Sequence, residues 1–222
     1  MKKNYTWFGM VSLLFLLPFY SPKGDTADWV FKKEVSGIKI YTRDAVDSDI
    51  KELKFTTVIH SSIRSTIALL VDVDNYDQWV FKCAESTVLK ELNELQSYCY
   101  YNVDFPWPMS DRDMIIFSEL EQDPLTKEVV SSSYGRPKYI PEKEGRVRIY
   151  NHFNQWHFKP TSPDRIEVTY LLKSDPAGSI PNWMINMAIE QGPLKSMKGF
   201  LEHLDNEKYQ GVSLPGIENF GN

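Results

Sequence analysis

Apolar and polar residues alternate along most of the chain, with the two-residue period of half-buried strands. Leu53, Phe55, Thr57 and Ile59 share one face of a run whose other face carries Lys54, Thr56 and Val58. Just upstream, 29–35 and 38–42 flank Ser36-Gly37, the signature of a β-hairpin. Downstream, strand-like runs at 85–92, 96–105, 112–121, 127–134, 146–158 and 165–174 are separated by polar turns such as Asn93-Glu94 and Ser162-Pro163-Asp164. Two stretches follow a helical period instead. Ile63, Ile67 and Leu70 fall on one side of a helix that Ser61 or Ser62 can cap. A loop holding Asp74, Asn75 and Asp77 then leads to Trp79. Near the C-terminus, Pro181 suits a first helical position, and Trp183, Met187, Leu194, Met197, Leu201 and Leu204 recur at spacings of three, four or seven. Glu190 is the charged position in that stripe. The pattern predicts one helix of about 25 residues with an apolar face. It is interrupted at Gly192-Pro193, where proline cannot donate to the Ile189 carbonyl. A succession of strands after one helix, closed by another helix, is an α+β arrangement with an antiparallel sheet.

The strand faces carry the first functional hint. On 165–174, Ile166, Val168, Tyr170 and Leu172 share the face expected to meet the last helix, while Glu167, Thr169 and Lys173 lie opposite, with Leu171 as the exception. On 112–120, Arg112, Met114, Ile116, Ser118 and Leu120 share a face whose single charge sits at its loop end. Apolar walls with few polar groups suit a lipid, whose tail gains about 0.8 kcal/mol per buried CH₂ while the polar groups orient its head.

Composition narrows the classes. The 222 residues are 42% hydrophobic and 14% aromatic, a globular profile, and the formal charge of −5 argues against a protein that tracks nucleic-acid phosphates. The leader is read as an export signal over 1–24: Lys2 and Lys3 precede an apolar stretch from Trp7 to Phe19 that is short for a membrane span. That predicts a periplasmic or secreted protein whose mature chain starts between Ser21 and Asp28. An uncleaved membrane anchor and a buried helix are the alternatives. The expected domain then runs over 25–208, with a tail at 209–222. Cys83 and Cys99 are too few for a disulfide framework; they are two separate buried residues or a single bond that export would permit.

Enzyme motifs are absent: no G-x-S-x-G, H-E-x-x-H, phosphate-binding glycine loop or G-x-G-x-x-G occurs. The histidines, His60, His152, His157 and His203, are scattered, and His152 and His157 point to opposite faces of one predicted strand. Binding is therefore favoured over catalysis, with no metal or cofactor expected.

Two segments carry a specific signal. One is Phe105-Pro106-Trp107-Pro108-Met109-Ser110-Asp111-Arg112-Asp113; the other runs from Tyr170 through Asp175-Pro176-Ala177-Gly178-Ser179-Ile180-Pro181-Asn182-Trp183 to Asn186. Together with Gly37-Ile38-Lys39-Ile40-Tyr41-Thr42-Arg43 and the Asp72 to Trp79 segment, they resemble the StAR-related lipid transfer (START) family over roughly 28–205, its phosphatidylcholine-transfer members most of all. The resemblance implies a helix-grip fold: a curved antiparallel β-sheet wrapped around a long C-terminal helix, enclosing a hydrophobic tunnel for one lipid or similar small molecule. It implies a monomer that touches membranes transiently and binds no nucleic acid. Ser118 stands where related members carry a second arginine, and Ala177 replaces the first glycine of a pair, a mild change at negative φ.

On this reading Arg112, Met114, Ile116, Ser118, Tyr170, Asn186, Met187 and Glu190 are the candidate ligand contacts. Phe105, Trp107, Met109 and Trp183 are the candidate gate or membrane contacts. Simpler roles stay open: Arg112 pairing with Asp111, Asp113 or a loop carbonyl, Asn186 bridging backbone groups, Trp183 and Met187 in the core. A helix-grip enzyme of cyclase or aromatic-compound type and a lipid-responsive sensor are the alternative functions.

Overall fold

Ser36 and Gly37 both adopt positive φ, 54° and 75°, and so turn β1 (Val30–Val35) back onto β2 (Ile38–Arg43). In this computed structural model, which describes residues 28–221, the hairpin starts a ten-stranded sheet. The expected leader at 1–24 lies outside the described residues. β3 (Glu52–His60), β4 (Cys83–Asn93), β5 (Gln96–Val103), β6 (Asp111–Gln122), β7 (Val129–Gly135), β9 (His152–Ser162) and β10 (Arg165–Ser174) complete the main path, in the order β1-β2-β3-β10-β9-β7-β6-β5-β4. Every neighbouring pair on that path is antiparallel.

The run at 146–158 is not one strand. Arg146–Arg148 forms the short β8, which pairs in parallel with the start of β6. The cause is a buried ion pair: Arg148 Nε and Nη2 donate to the two carboxylate oxygens of Asp113 at 2.7 and 2.9 Å. Ile149 N–H donates to the Asp113 carbonyl at 2.8 Å, and only past residue 151 does the chain join β7 as β9. A charge pair removed from water in this way is held by its bidentate geometry.

α1 (Ile63–Val71) is capped by Ser62, whose Oγ accepts from Ser65 N–H at 3.1 Å. Its Ile63, Ile67 and Leu70 are buried as the period predicts. The Asp74–Asp77 stretch is a 3-10 turn rather than an open loop. At its start, Asp72 accepts from Asn75 Nδ2, Lys208 Nζ and the Tyr209 hydroxyl, tying the turn to the end of the chain. The segment after 208, expected as a tail, is packed: Tyr209 and Ile217 join the main core, and Asn219 Oδ1 accepts from Arg64 N–H.

The predicted long helix is two helices, α2 (Asn182–Ala188) and α3 (Gln191–His203). The break falls at Ile189–Glu190, ahead of the proline rather than on it. A continuous helix would drive the Pro193 ring against the Ile189 carbonyl and leave that carbonyl without its donor. Starting α3 at Gln191 puts Pro193 in the first turn, where an N–H has no helical partner to lose. With the cylinder broken, the three-four spacing does not carry across it. Met197 and Leu204 are buried and Leu194 and Leu201 partly so, while Trp183 faces outward.

α3 is the element the sheet grips. Phe200 is fully buried, with its ring centroid 5.3 Å from Trp79 and 5.2 Å from Trp156. Next to it, Gly199 lies so close to the Trp79 backbone that a Cβ there would be 2.3 Å from the Trp79 carbonyl oxygen. Phe81 N–H donates to Ser196 Oγ at 3.0 Å, completing the attachment.

Candidate ligand cavity

Between the sheet and the two C-terminal helices lies a cavity of about 1330 Å³. That exceeds the roughly 300–1,000 Å³ of ordinary small-molecule sites. It follows β5 from the β4–β5 turn, where Leu92, Leu95, Leu214 and Pro215 line it, to Val103 and then Phe105, Pro106, Met109, Ile180 and Met184. Eight strand residues at about 3.4 Å each give a length near 25 Å, well beyond the ~15 Å hydrocarbon depth of one membrane leaflet.

The inner faces of β5, β6, β7, β9 and β10 make the fixed wall. Met114, Ile116, Ser118 and Leu120 of β6 lie on it, as do Tyr170 and Leu172 of β10. The Tyr170 ring packs 4.3 Å from Trp156 and 6.0 Å from Phe55, and burial raises its pKa. Polar residues on the wall cluster at one level. Ser97 faces Ser118 across the β5–β6 ladder, Ser118 faces Ser133, and Ser133 faces Asn154. The Ser118 and Ser133 hydroxyls are 2.8 Å apart. One step further, His152 Nε2 contacts Asn154 Nδ2 at 3.0 Å and His152 Nδ1 contacts Ser174 Oγ at 3.0 Å. Burial pushes the His152 pKa down to about 4, so the ring is neutral at ordinary pH. The opposite orientation of His157 is as predicted: it pairs with Glu128 at 2.9 Å, off the cavity. Cys83 and Cys99 are buried, unbonded thiols, whose pKa values burial raises; Cys99 lies on the wall.

Several of the expected contacts have other occupations. Arg112 is not on the cavity wall. The residue is 2% exposed, and its guanidinium donates to the carbonyls of Ser110, Pro176 and Ala177, with its charge 4.2 Å over the Phe105 ring. It binds the 105–110 loop to the 175–178 turn, one of the simpler roles the sequence leaves open. That turn also corrects an expectation: Ala177 sits at φ +56°, next to Gly178 at +75°, in the left-handed region where a Cβ is disfavoured. Asn186 lies off the wall too. Its Oδ1 accepts from Lys51 N–H at 3.0 Å and its Nδ2 donates to the Asp49 carbonyl at 2.8 Å, so it fastens α2 to the loop before β3. Glu190, at the helix break, pairs with Lys33 at 3.3 Å. The Met187 side chain lies outside what the structure describes. Of the expected gate residues, Phe105 and Met109 line the cavity at the end shared with α2, whereas Trp107 and Trp183 are 92% and 65% exposed.

The wall residues that sequence reasoning passed over are Ser97, Ser133, His152, Asn154 and Ser174. Their signal was present in the alternation: His152 and Asn154 precede Trp156 and Phe158 on one face of β9, and Ser174 follows Tyr170 and Leu172 on β10.

Among described residues, no group of three or more histidine, cysteine or acidic side chains could hold a metal ion, and no helix is long and apolar enough to cross a membrane.

Comparison with known proteins agrees with this architecture. The START domain profile matches residues 20–210. An uncharacterized protein of Pseudomonas aeruginosa is 31% identical over 78% of this chain and 84% of its own length. The phosphatidylcholine transfer protein of Rattus norvegicus is 28% identical over 81% of this chain and 85% of its own. Among solved structures, a fragment of a STAR-related lipid transfer protein from Xanthomonas axonopodis superposes with a TM-score of 0.74 at 29% identity, covering 79% of this chain and 98% of the fragment. Human STARD10, at 22% identity, shares the fold with a TM-score of 0.70 over 79% of this chain and 72% of its own. On sequence, fold and cavity together, this chain belongs to the START domain family.

Proposed function

We propose that the protein binds one lipid in this cavity and carries it between membranes without chemical change. The observation that carries the reading is the cavity itself: a long, largely apolar space under two short helices in a chain whose relatives include phosphatidylcholine transfer protein. Burying a chain of methylenes there stabilises the complex by about 0.8 kcal/mol each. The loop from Phe105 to Met109 and α2 form the gate. Trp107, Trp183 and Met184 are large, exposed and grouped around the mouth, where they would insert among lipid headgroups while α2 opens. The protein acts as a monomer that touches membranes transiently. The export signal read in the leader puts that work outside the cytoplasm.

Catalysis is not needed, and the polar groups of the wall are not set for it. With Asn154 Nδ2 donating to His152 Nε2, the ring proton sits on Nδ1 and is given to Ser174 Oγ. The imidazole then has no lone pair left to take the serine proton, as a nucleophile's base must.

The test is organic extraction and mass spectrometry of the purified protein, followed by transfer of labelled lipid between two liposome populations. Stoichiometric co-purifying lipid and transfer well above the spontaneous rate are expected. A protein that neither retains lipid nor speeds its exchange would overturn the proposal.

A further inference from the structure

Six of the polar wall residues, Ser97, Ser118, Ser133, Asn154, His152 and Ser174, form a belt across the sheet wall of the cavity. They come from five neighbouring strands. We infer that this belt selects a lipid whose buried polar part is an uncharged oxygen function, a hydroxyl or an ester carbonyl, and excludes a phosphate from the interior. The inference deepens the proposed lipid-binding function and rests on it.

Three observations support it. First, the charged residues on the described cavity wall, Lys82, Glu91, Glu94 and Asp104, are all exposed, so none stands inside to balance a buried phosphate. Arg112, on the same face of β6 as Ser118, has its guanidinium already committed to three loop carbonyls. A phosphate carried to the belt would leave water without a cation to meet it, which strongly disfavours it there.

Second, the proton count of the belt leaves donors over. In the Ser118–Ser133 pair, one hydroxyl donates to the other, and the second proton is left for a ligand. In the Asn154–His152–Ser174 chain, the imidazole proton goes to Ser174 Oγ, and the serine's own proton is free. Two spare O–H donors on one side of an apolar cavity match a carbonyl or hydroxyl oxygen.

Third, the belt lies between largely apolar stretches on both sides. Leu120, Trp156 and Tyr170 lie toward the β4–β5 turn, with Ser131 as the polar residue among them, and Met109 and Ile180 lie toward the other end, while Ile116 is level with His152. A ligand held at the belt would therefore have hydrocarbon on each side of its polar group.

The experiment incubates the purified protein with phosphatidylcholine vesicles containing equal minor fractions of diacylglycerol and phosphatidylglycerol, then identifies the bound lipid by mass spectrometry. Diphenylhexatriene, a hydrocarbon fluorophore with no hydrogen-bonding group, is titrated in parallel. The expected result is diacylglycerol enriched about tenfold or more over either phospholipid, a preference equivalent to about 1.4 kcal/mol. In the double variant Ser118→Ala with Ser133→Ala, that enrichment should collapse while diphenylhexatriene still binds. Phospholipid bound as well as diacylglycerol, or enrichment unchanged in the variant, would overturn this inference and leave lipid carriage intact. Failure to bind any lipid or the fluorophore would overturn the carrier reading and this inference together.

Discussion

Phe200 on α3 and Trp183 on α2 are both large aromatic residues of the C-terminal segment, yet one is fully buried and the other is 65% exposed. The two helices cover the same cavity by different means. α3 is pressed into the core through an aromatic knot with Trp79 and Trp156, a glycine that admits a neighbouring backbone, and the Phe81–Ser196 hydrogen bond. α2 has seven residues and no side-chain cap, and among described side chains it is held to the body mainly by Asn186 and Asn182, through hydrogen bonds to residues 49–51. A segment held by a few exposed hydrogen bonds opens at lower free energy than one held by buried apolar contacts. On the proposed function, the difference makes α3 part of the fixed wall and α2 the movable cover.

The largest expected effect lies on the fixed side. Phe200→Ala removes the ring at the centre of the knot and should cost about 3–5 kcal/mol in urea unfolding. A loss below ~1 kcal/mol would mean that α3 is not anchored as described.

The second prediction concerns His152, on the sheet wall. Its folded pKa of about 4 lies below the ordinary value of 6.5, and burial is the cause. The unfolded ring therefore takes up a proton first as the solution is acidified. Stability due to the neutral ring is complete above pH 6.5 and is lost as pH falls through the window down to 4. The loss should be on the order of 2–3 kcal/mol. Unfolding at several pH values should show this extra slope in the wild type and not in His152→Gln.

On the movable side the effects are smaller and of another kind. Asn186→Ala removes two hydrogen bonds worth about 1 kcal/mol each. Amide exchange in α2 should speed up by about thirtyfold while α3 and the strands are unchanged. Equal acceleration in both helices would dissolve the comparison. Trp183→Ala should shift global stability by no more than ~0.5 kcal/mol, as for other exposed sites, but slow liposome transfer. A stability loss as large as that of Phe200→Ala would contradict the surface placement of α2.

The contrast also explains what was legible in the sequence. β3, β10 and α1 each bury one face, so alternation or a three-four period marks them, and Ser62 marks the start of α1. The helix break was legible in kind but not in place, because proline constrains the carbonyl four residues earlier and the chain resolved the conflict there. The split of 146–158 depended on Arg148 meeting Asp113, a contact between distant segments that no local pattern reports. Of the expected site, Met114, Ile116, Ser118 and Tyr170 lie on the sheet wall and Phe105 and Met109 line the cavity from their loop, because strand parity and loop chemistry are local. Arg112 and Asn186 proved to be fasteners, since their partners are carbonyls that no sequence pattern displays. The other serines of the belt, Ser97, Ser133 and Ser174, carry no sign of the cavity in their residue type, because a polar side chain facing a cavity has the same pattern as one facing water.

The most direct test of the account locks the cover. The Asn182 and Asp49 side chains meet at 3.3 Å, so cysteines at both positions (Asn182→Cys with Asp49→Cys), joined through disulfides by a short bis-methanethiosulfonate reagent, place a reducible link between α2 and the body. Cys83 and Cys99 are buried and remain apart from it. Lipid transfer between liposomes, measured before and after reduction, should be nearly absent in the linked protein and recover when the link is cut. Transfer as fast in the linked form as in the reduced form would show that lipid reaches the cavity without α2 moving.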